Sequence, residues 1–134
     1  MIGIDANVLV RYLVRDDAMQ FALARDLILG AVASGETILI SLPVVLEAEW
    51  VLRSRYRRSK AEVAGAFADL LESRELSFEA EESLEEALYA WKGSTADFAD
   101  CLIAAHQRRL GAKTTWTFDA LAARLSGMSP LGSA

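Results

Sequence analysis

The chain opens Met1-Ile2-Gly3-Ile4-Asp5-Ala6-Asn7-Val8-Leu9-Val10-Arg11-Tyr12-Leu13, and the reading of this stretch decides the fold class. Met1 to Ile4 is a short apolar run closed by an acid, which predicts a buried strand. Asp5 to Asn7 predicts a turn, and the apolar residues from Val8 to Leu13 predict the start of a helix. A strand that passes at once into a helix is the unit from which parallel sheets are assembled.

The same alternation continues downstream. Ala18 to Val32 carries Leu23, Leu27 and Ile28 at helical spacing and stops near Gly35, a usual helix-end residue. Thr37 to Ser41 reads as a second strand, and Pro43 suits the first turn of a helix running to about Tyr56. Ser59-Lys60-Ala61-Glu62 has capping-box spacing ahead of Val63, Phe67, Leu70 and Leu71, so another helix is expected there. Leu76 to Phe78 predicts a brief strand, and Glu82 to Trp91 a helix with Leu84, Leu88 and Trp91 on one stripe. Ser94 or Thr95 is expected to cap a helix reaching Leu110. Lys113 to Phe118 predicts a strand, Asp119 opens a last helix, and residues 127–134 read as a loose tail. The expectation is one α/β domain over residues 1–134, with a mostly parallel central sheet covered by helices on both faces.

Composition narrows the function classes. The chain has 134 residues, of which 53% are hydrophobic, enough for one packed core. No apolar run reaches the ~18–20 residues of a membrane span, and the start lacks a basic region ahead of an apolar stretch. A single cysteine, Cys101, suits a reducing compartment. A cytoplasmic protein without a membrane partner is therefore expected. Fourteen basic against nineteen acidic residues give a net charge of −5, which by itself argues against a dedicated nucleic-acid binder. The charge is uneven, however. Arg53, Arg55, Arg57, Arg58 and Lys60 form a basic block, Arg108, Arg109 and Lys113 a smaller one, and Glu72 to Glu86 is strongly acidic. The basic block is read either as a solvated helix end or as an RNA-facing surface.

In parallel α/β folds, ligands sit beyond the carboxyl ends of the strands. Asp5 and Asp119 each follow a predicted strand directly, so both are expected at that rim. Each also has a structural reading, Asp5 as a turn-former and Asp119 as a helix N-cap. Capping and ligation are compatible if one carboxylate oxygen caps and the other does not. Asn7 is read as a turn residue or as a donor that orients a carboxylate.

Glu47 and Glu49 share an otherwise apolar helix, Leu42 to Leu52. Glu49 has Arg53 four residues on, which predicts a solvated helix pair. Glu47 has no such partner, and an unpaired carboxylate on an apolar helix is the better site candidate. Asp97 and Asp100 lie three apart. Asp97 completes the Ser94-x-x-acid spacing of a helix cap, whereas Asp100 stands alone within an apolar block from Phe98 to Ala105. Acids gathered in one cleft raise each other's pKa, and a hard divalent cation relieves that conflict. The chemistry expected of such a set is phosphodiester hydrolysis by metal-activated water.

Other chemistries fit less well. His106 is the sole histidine, which excludes a two-histidine nuclease. Cys101 reads as core, and Trp50, Trp91 and Trp116 read as core or dimer contacts rather than base-stacking surfaces. An aspartyl-phosphate enzyme would also place an Asp after its first strand. Its haloacid-dehalogenase version wants a second Asp where Asn7 stands, and its receiver version wants an acidic pair there.

With these residues assembled, the chain resembles the PIN-domain family over essentially its full length, and within it the VapC-type toxins of toxin–antitoxin pairs. Four segments carry the likeness: Ile4-Asp5-Ala6-Asn7-Val8-Leu9-Val10-Arg11-Tyr12, Val45-Leu46-Glu47-Ala48-Glu49-Trp50-Val51-Leu52, Asp97-Phe98-Ala99-Asp100-Cys101-Leu102-Ile103-Ala104-Ala105, and Thr117-Phe118-Asp119. The resemblance implies a three-layer α/β/α domain and a Mg²⁺- or Mn²⁺-dependent endoribonuclease acting on RNA. It implies an acidic tetrad of Asp5, Glu47, Asp100 and Asp119, with Asp97 as a further metal contact and Asn7 and Thr117 in support. It also implies a cognate VapB-like antitoxin, a toxin homodimer, and a heterotetramer or larger assembly with the antitoxin. Its alternatives are a PIN-domain RNA-processing nuclease without a toxin role and a non-catalytic PIN-like binding module.

Overall fold

A computed structural model describes residues 1–132. Its elements run β1 (Ile2–Gly3), α1 (Ala6–Val14), α2 (Ala18–Ala33), β2 (Ile38–Ile40), α3 (Leu42–Ser54), α4 (Lys60–Leu71), β3 (Leu76–Phe78), α5 (Glu81–Lys92), α6 (Phe98–Arg109), β4 (Thr115–Thr117), a 3₁₀ turn (Ala122–Arg124) and β5 (Met128–Pro130). The class is α/β, and every strand pairing among the described residues is parallel. The chain divides into two compact units, Met1–Glu79 and the remainder from Ala80. No helix of the described residues is long and apolar enough to cross a membrane.

In the first unit the strands lie in the order β1-β2-β3, with Ile2 beside Ile38, Ile38 beside Leu76 and Ile40 beside Phe78. Ile38 and Ile40 are fully buried and pack into a core with Leu9, Val45, Val63 and Phe67. Parallel pairing brings the three carboxyl ends to one edge, where Asp5, Ser41 and Glu79 follow. Ser41 occupies the N-cap of α3 without a side-chain bond. Glu79 supplies one instead: its Oε1 accepts from the Leu42 N–H at 2.9 Å, and its own N–H donates to the Ile40 carbonyl at 3.0 Å. A carboxylate beside the first amide of a helix satisfies an orphan donor and suits the helix dipole. The capping box expected at α4 is present. Ser59 Oγ accepts from the Glu62 N–H at 3.1 Å, and Glu62 Oε1 accepts from the Ser59 N–H at 3.0 Å.

In the second unit α5 packs on α6. Trp91 meets Phe98 edge-to-face at 5.2 Å between ring centroids, and Leu84, Ala87, Cys101 and Leu102 are buried. The second basic group is neutralised here. Arg109 bridges Glu82 at 3.0 Å and Glu86 at 3.3 Å, and Arg108 pairs with Glu86 and donates to Ser126 Oγ at 2.9 Å. Glu82 and Glu86 of the acidic run thus face Arg108 and Arg109 across this helix pair.

Four expectations need correction. The segment from Gly127 is not loose. Met128–Pro130 forms β5 beside β4, with Thr115 opposite Met128 and Thr117 opposite Pro130, and the Thr115 N–H donates to the Gly127 carbonyl at 2.8 Å. Gly127 at φ +87° makes the turn into that strand, a conformation natural to glycine. Residues 133–134 of the expected tail lie outside the described residues. The helix expected after Asp119 is a single 3₁₀ turn, and α6 begins at Phe98 rather than directly after Ser94 or Thr95. Trp50 and Trp116 are not core: they are 53% and 62% exposed, and only Trp91 of the three is buried.

Candidate functional site

The acids singled out in the sequence fall into both units, Asp5 and Glu47 in the first and Asp97, Asp100 and Asp119 in the second. Asp5 follows β1 and is the N-cap of α1, its Oδ1 accepting from the Val8 N–H at 3.0 Å. The turn expected over Asp5–Asn7 is thereby absorbed into the helix start, with Asn7 in the first turn and exposed. Asp119 does the same after β4. Its Oδ1 accepts from the Leu121 N–H at 2.8 Å and the Ala122 N–H at 3.0 Å. Thr117 Oγ1 accepts from the Asp119 N–H at 3.0 Å, so Thr117 orients the backbone that carries the acid. Both aspartates cap with Oδ1, and neither Oδ2 takes a hydrogen bond from the described residues.

Asp100 sits in the first turn of α6, half-buried. Burial drives its carboxyl above the ordinary aspartate pKa, and the charges of Asp119 and then Asp97 push it further the same way. The structure therefore brings these three carboxylates into one another's field. Asp97 was expected to complete a cap with Ser94. It occupies the N-cap position of α6 but makes no side-chain capping bond, while Ser94 Oγ accepts from the Ala96 N–H at 2.9 Å. The cap motif closes on Ala96 because the helix starts later than its spacing suggested, and the Asp97 carboxylate is left exposed.

Glu49 and Glu47 sit as paired and unpaired acids, as their spacing predicts, but with the burial reversed. Glu49 bonds Arg53 at 3.2 Å as the spacing foretold, yet it is only 3% exposed. Its helix buries the stripe Val45, Ala48, Glu49 and Leu52, and Arg53 brings the countercharge that makes a buried carboxylate tolerable. Glu47 is exposed on another face of α3, so it is not an acid on the buried stripe. In the basic block, Arg53 pairs with Glu49 on its own helix, and Arg58, in the connection ahead of α4, lies 3.8 Å from Glu62. Arg55 and Arg57 are exposed. His106 accepts or donates through Nδ1 to the buried Ser83 Oγ at 3.0 Å, a structural contact between α5 and α6. Sequence reasoning did not find this pair, since nothing in the spacing of Ser83 and His106 announces it.

The donor set of the second unit is all carboxylate oxygen, the chemistry of a hard divalent cation such as Mg²⁺ or Mn²⁺. Among the described residues no group of three or more aspartate, glutamate, histidine or cysteine side chains is placed to hold a metal ion. Mg²⁺ typically uses one or two carboxylates, several waters and substrate phosphate instead, and the raised pKa of Asp100 is relieved by a nearby cation.

A family model described as PIN domain matches residues 2–127 and so runs through both units. The six helices and parallel strands are consistent with a three-layer α/β/α fold. No curated protein matches the chain.

Asp100 gives a sign for stability. Its folded pKa lies above the ordinary value of 3.8, so the fold favours the protonated acid. That contribution is present below the ordinary pKa and is lost as pH rises through the folded pKa. In EDTA at neutral pH, Asp100→Asn should therefore melt at or above the wild-type temperature, and the difference should shrink on acidification toward the ordinary aspartate pKa. Thermal melts of the two proteins across that range check it; a variant that melts well below wild type at neutral pH contradicts it.

Proposed function

We propose that this chain, which belongs to the PIN-domain family, is a divalent-metal-dependent endoribonuclease that hydrolyses RNA phosphodiester bonds and acts as the toxin of a VapBC-type pair. Members of the family are generally metal-dependent nucleases. The observation that carries the reading is Asp100, whose carboxyl is held above its ordinary pKa by burial and by Asp119 and Asp97. Carboxylates kept in such mutual opposition favour a cation.

In this reading Asp5, Glu47, Asp100 and Asp119 are the acids on which activity depends, with Asp97 as a further metal contact. In the proposed chemistry a divalent cation would supply positive charge for the scissile phosphate and acidity for an attacking water. The chain's own part is to hold its oxygens still. Asp119 is fixed through Oδ1 by two amides and through its backbone by Thr117; Asp5 is fixed through Oδ1 by the Val8 amide. In both cases Oδ2 is left without a hydrogen bond among the described residues, and the carboxylate is set by hydrogen-bonded backbone amides rather than by a flexible loop. Asn7, in the first turn of α1, takes a supporting role in this reading on the strength of the family likeness alone. Arg55 and Arg57, with the partly engaged Arg53, Arg58 and Lys60, offer phosphate contacts on the same basic block.

The toxin assignment rests on the VapC-like segments around the four acids. It brings with it a cognate antitoxin, a homodimer with larger complexes when the antitoxin is bound, and a cytoplasmic site of action. A PIN-domain RNA-processing enzyme would share the chemistry without the antitoxin.

Cleavage of single-stranded RNA should require Mg²⁺ or Mn²⁺ and stop in EDTA. Asp5→Asn and Asp100→Asn should each lower the rate on the order of 100-fold or more, at the top of the range for groups that merely orient ligands. Undiminished cleavage by both variants would remove the tetrad assignment. Expression of the wild-type chain in bacteria should arrest growth, co-expression of the adjacent small reading frame should relieve the arrest, and Asp100→Asn should not arrest growth. Harmless expression of a protein that cleaves RNA in vitro would leave the processing enzyme in place of the toxin.

A further inference from the structure

A cavity of about 330 Å³ opens between α1 and α2 within the first unit, and Asp5 stands in its wall. Its lining is divided by chemistry. Leu23, Ala24 and Leu27 of α2 form an apolar side, and Asn7 and Gln20 bring two carboxamides to it. Leu23 and Leu27 are 66% and 44% exposed, a large apolar surface for one side of a surface helix to leave uncovered. The amides of Asn7 and Gln20 donate and accept no side-chain hydrogen bond among the described residues; Gln20 is tied only through its backbone, to Asp17 Oδ1. Arg11, which also lines the cavity, is occupied by Asp16 and Tyr56. Its guanidinium is therefore already engaged with an anion.

A volume of this size lies at the lower end of small-ligand pockets, which join an apolar body to a few convergent polar groups. An unstacked nucleobase has that division: an apolar face and an edge of donors and acceptors. Single-stranded RNA is read in this way, with bases splayed against side chains and bonded along their edges. Carboxamides are suited to the edge because each presents a donor and an acceptor together. A phosphate or a carboxylate would find no free cation in the lining and would meet Asp5 instead. A simple apolar ligand would leave both amides unpaired, at a cost.

We propose that this cavity receives one base of the RNA substrate next to the scissile phosphodiester, with Leu23 and Leu27 against its face and Gln20 reading its edge. The proposal rests on the nuclease reading and adds the base-selecting residues to it. Asp5 in the wall ties the pocket to the reacting group, so base choice here becomes choice of cleavage position.

The test uses the full chain and four short single-stranded RNA oligonucleotides of equal length, each enriched in one base, with affinity followed by fluorescence anisotropy in EDTA. Wild type should prefer one of the four. Gln20→Ala and Leu23→Ser, both at exposed helix positions, should each weaken the preferred oligonucleotide about tenfold, the scale of one lost edge contact. Binding of the other three should change much less, and Gln20→Glu should shift the preference rather than abolish binding. Circular dichroism melts guard against misfolding. Equal weakening of all four, or no change in any, overturns the proposal; the latter is the outcome expected if the cavity takes a protein segment. Because binding is read without metal, failure of the nuclease reading appears separately, as absence of cleavage when Mg²⁺ is restored.

Discussion

A carboxylate in a half-buried helix turn, facing two others, resists its own charge. Asp100 is in that position. Loss of water around it is the larger cause, Asp119 the next and Asp97 the third. Removing any acid would ease the conflict, and in the proposed reading so would a cation, with all three acids kept. The placement of α6, the late start of that helix at Phe98, and the turn after β4 all serve this one juxtaposition. The chemistry proposed for the protein follows from it.

The fold holds its acids by a device used twice. Asp5 follows β1 and caps α1; Asp119 follows β4 and accepts from the two amides that lead into the 3₁₀ turn. In each, one oxygen is consumed in satisfying helix amides that would otherwise lack partners. Capping and ligation are therefore not rival readings of these residues. The cap fixes the carboxylate so that its second oxygen has one direction, which is the preorganisation a metal or a phosphodiester site requires. Glu79 shows the same economy without chemistry, clamping the end of β3 to the start of α3 through Leu42.

Much of this was legible in the sequence, and the failures have physical causes. Local signals read well: the Ser59–Glu62 capping box, the Pro43 helix start, the strand-to-acid passage at Asp5 and the Glu49–Arg53 pair are all set by neighbours within four residues. Burial read poorly. Glu49 was expected in solvent because a helix pair usually lies there, but the partner that makes it soluble also makes it buriable, and the stripe Val45–Ala48–Leu52 carries it inward. Trp50 and Trp116 read as core or dimer contacts because their neighbours are apolar, and the core half of that reading fails because facing direction depends on packing that no single segment encodes. The β5 strand was missed because Met128–Pro130 is short and contains a proline. Its place is set by pairing with β4, a contact with no local signature. Ser94 misled in the opposite way: its cap bond exists, but it closes on Ala96, ahead of the helix.

The most direct measurement is Mn²⁺ binding to the intact chain as a function of pH, by titration calorimetry, in wild type and Asp100→Asn. A cation held at Asp100 competes with the proton that this carboxyl retains above the ordinary aspartate range. Wild-type affinity should therefore weaken as pH falls through that range, while Asp100→Asn binds weakly with little pH dependence. Equal affinity and the same pH profile in the two proteins would contradict the account.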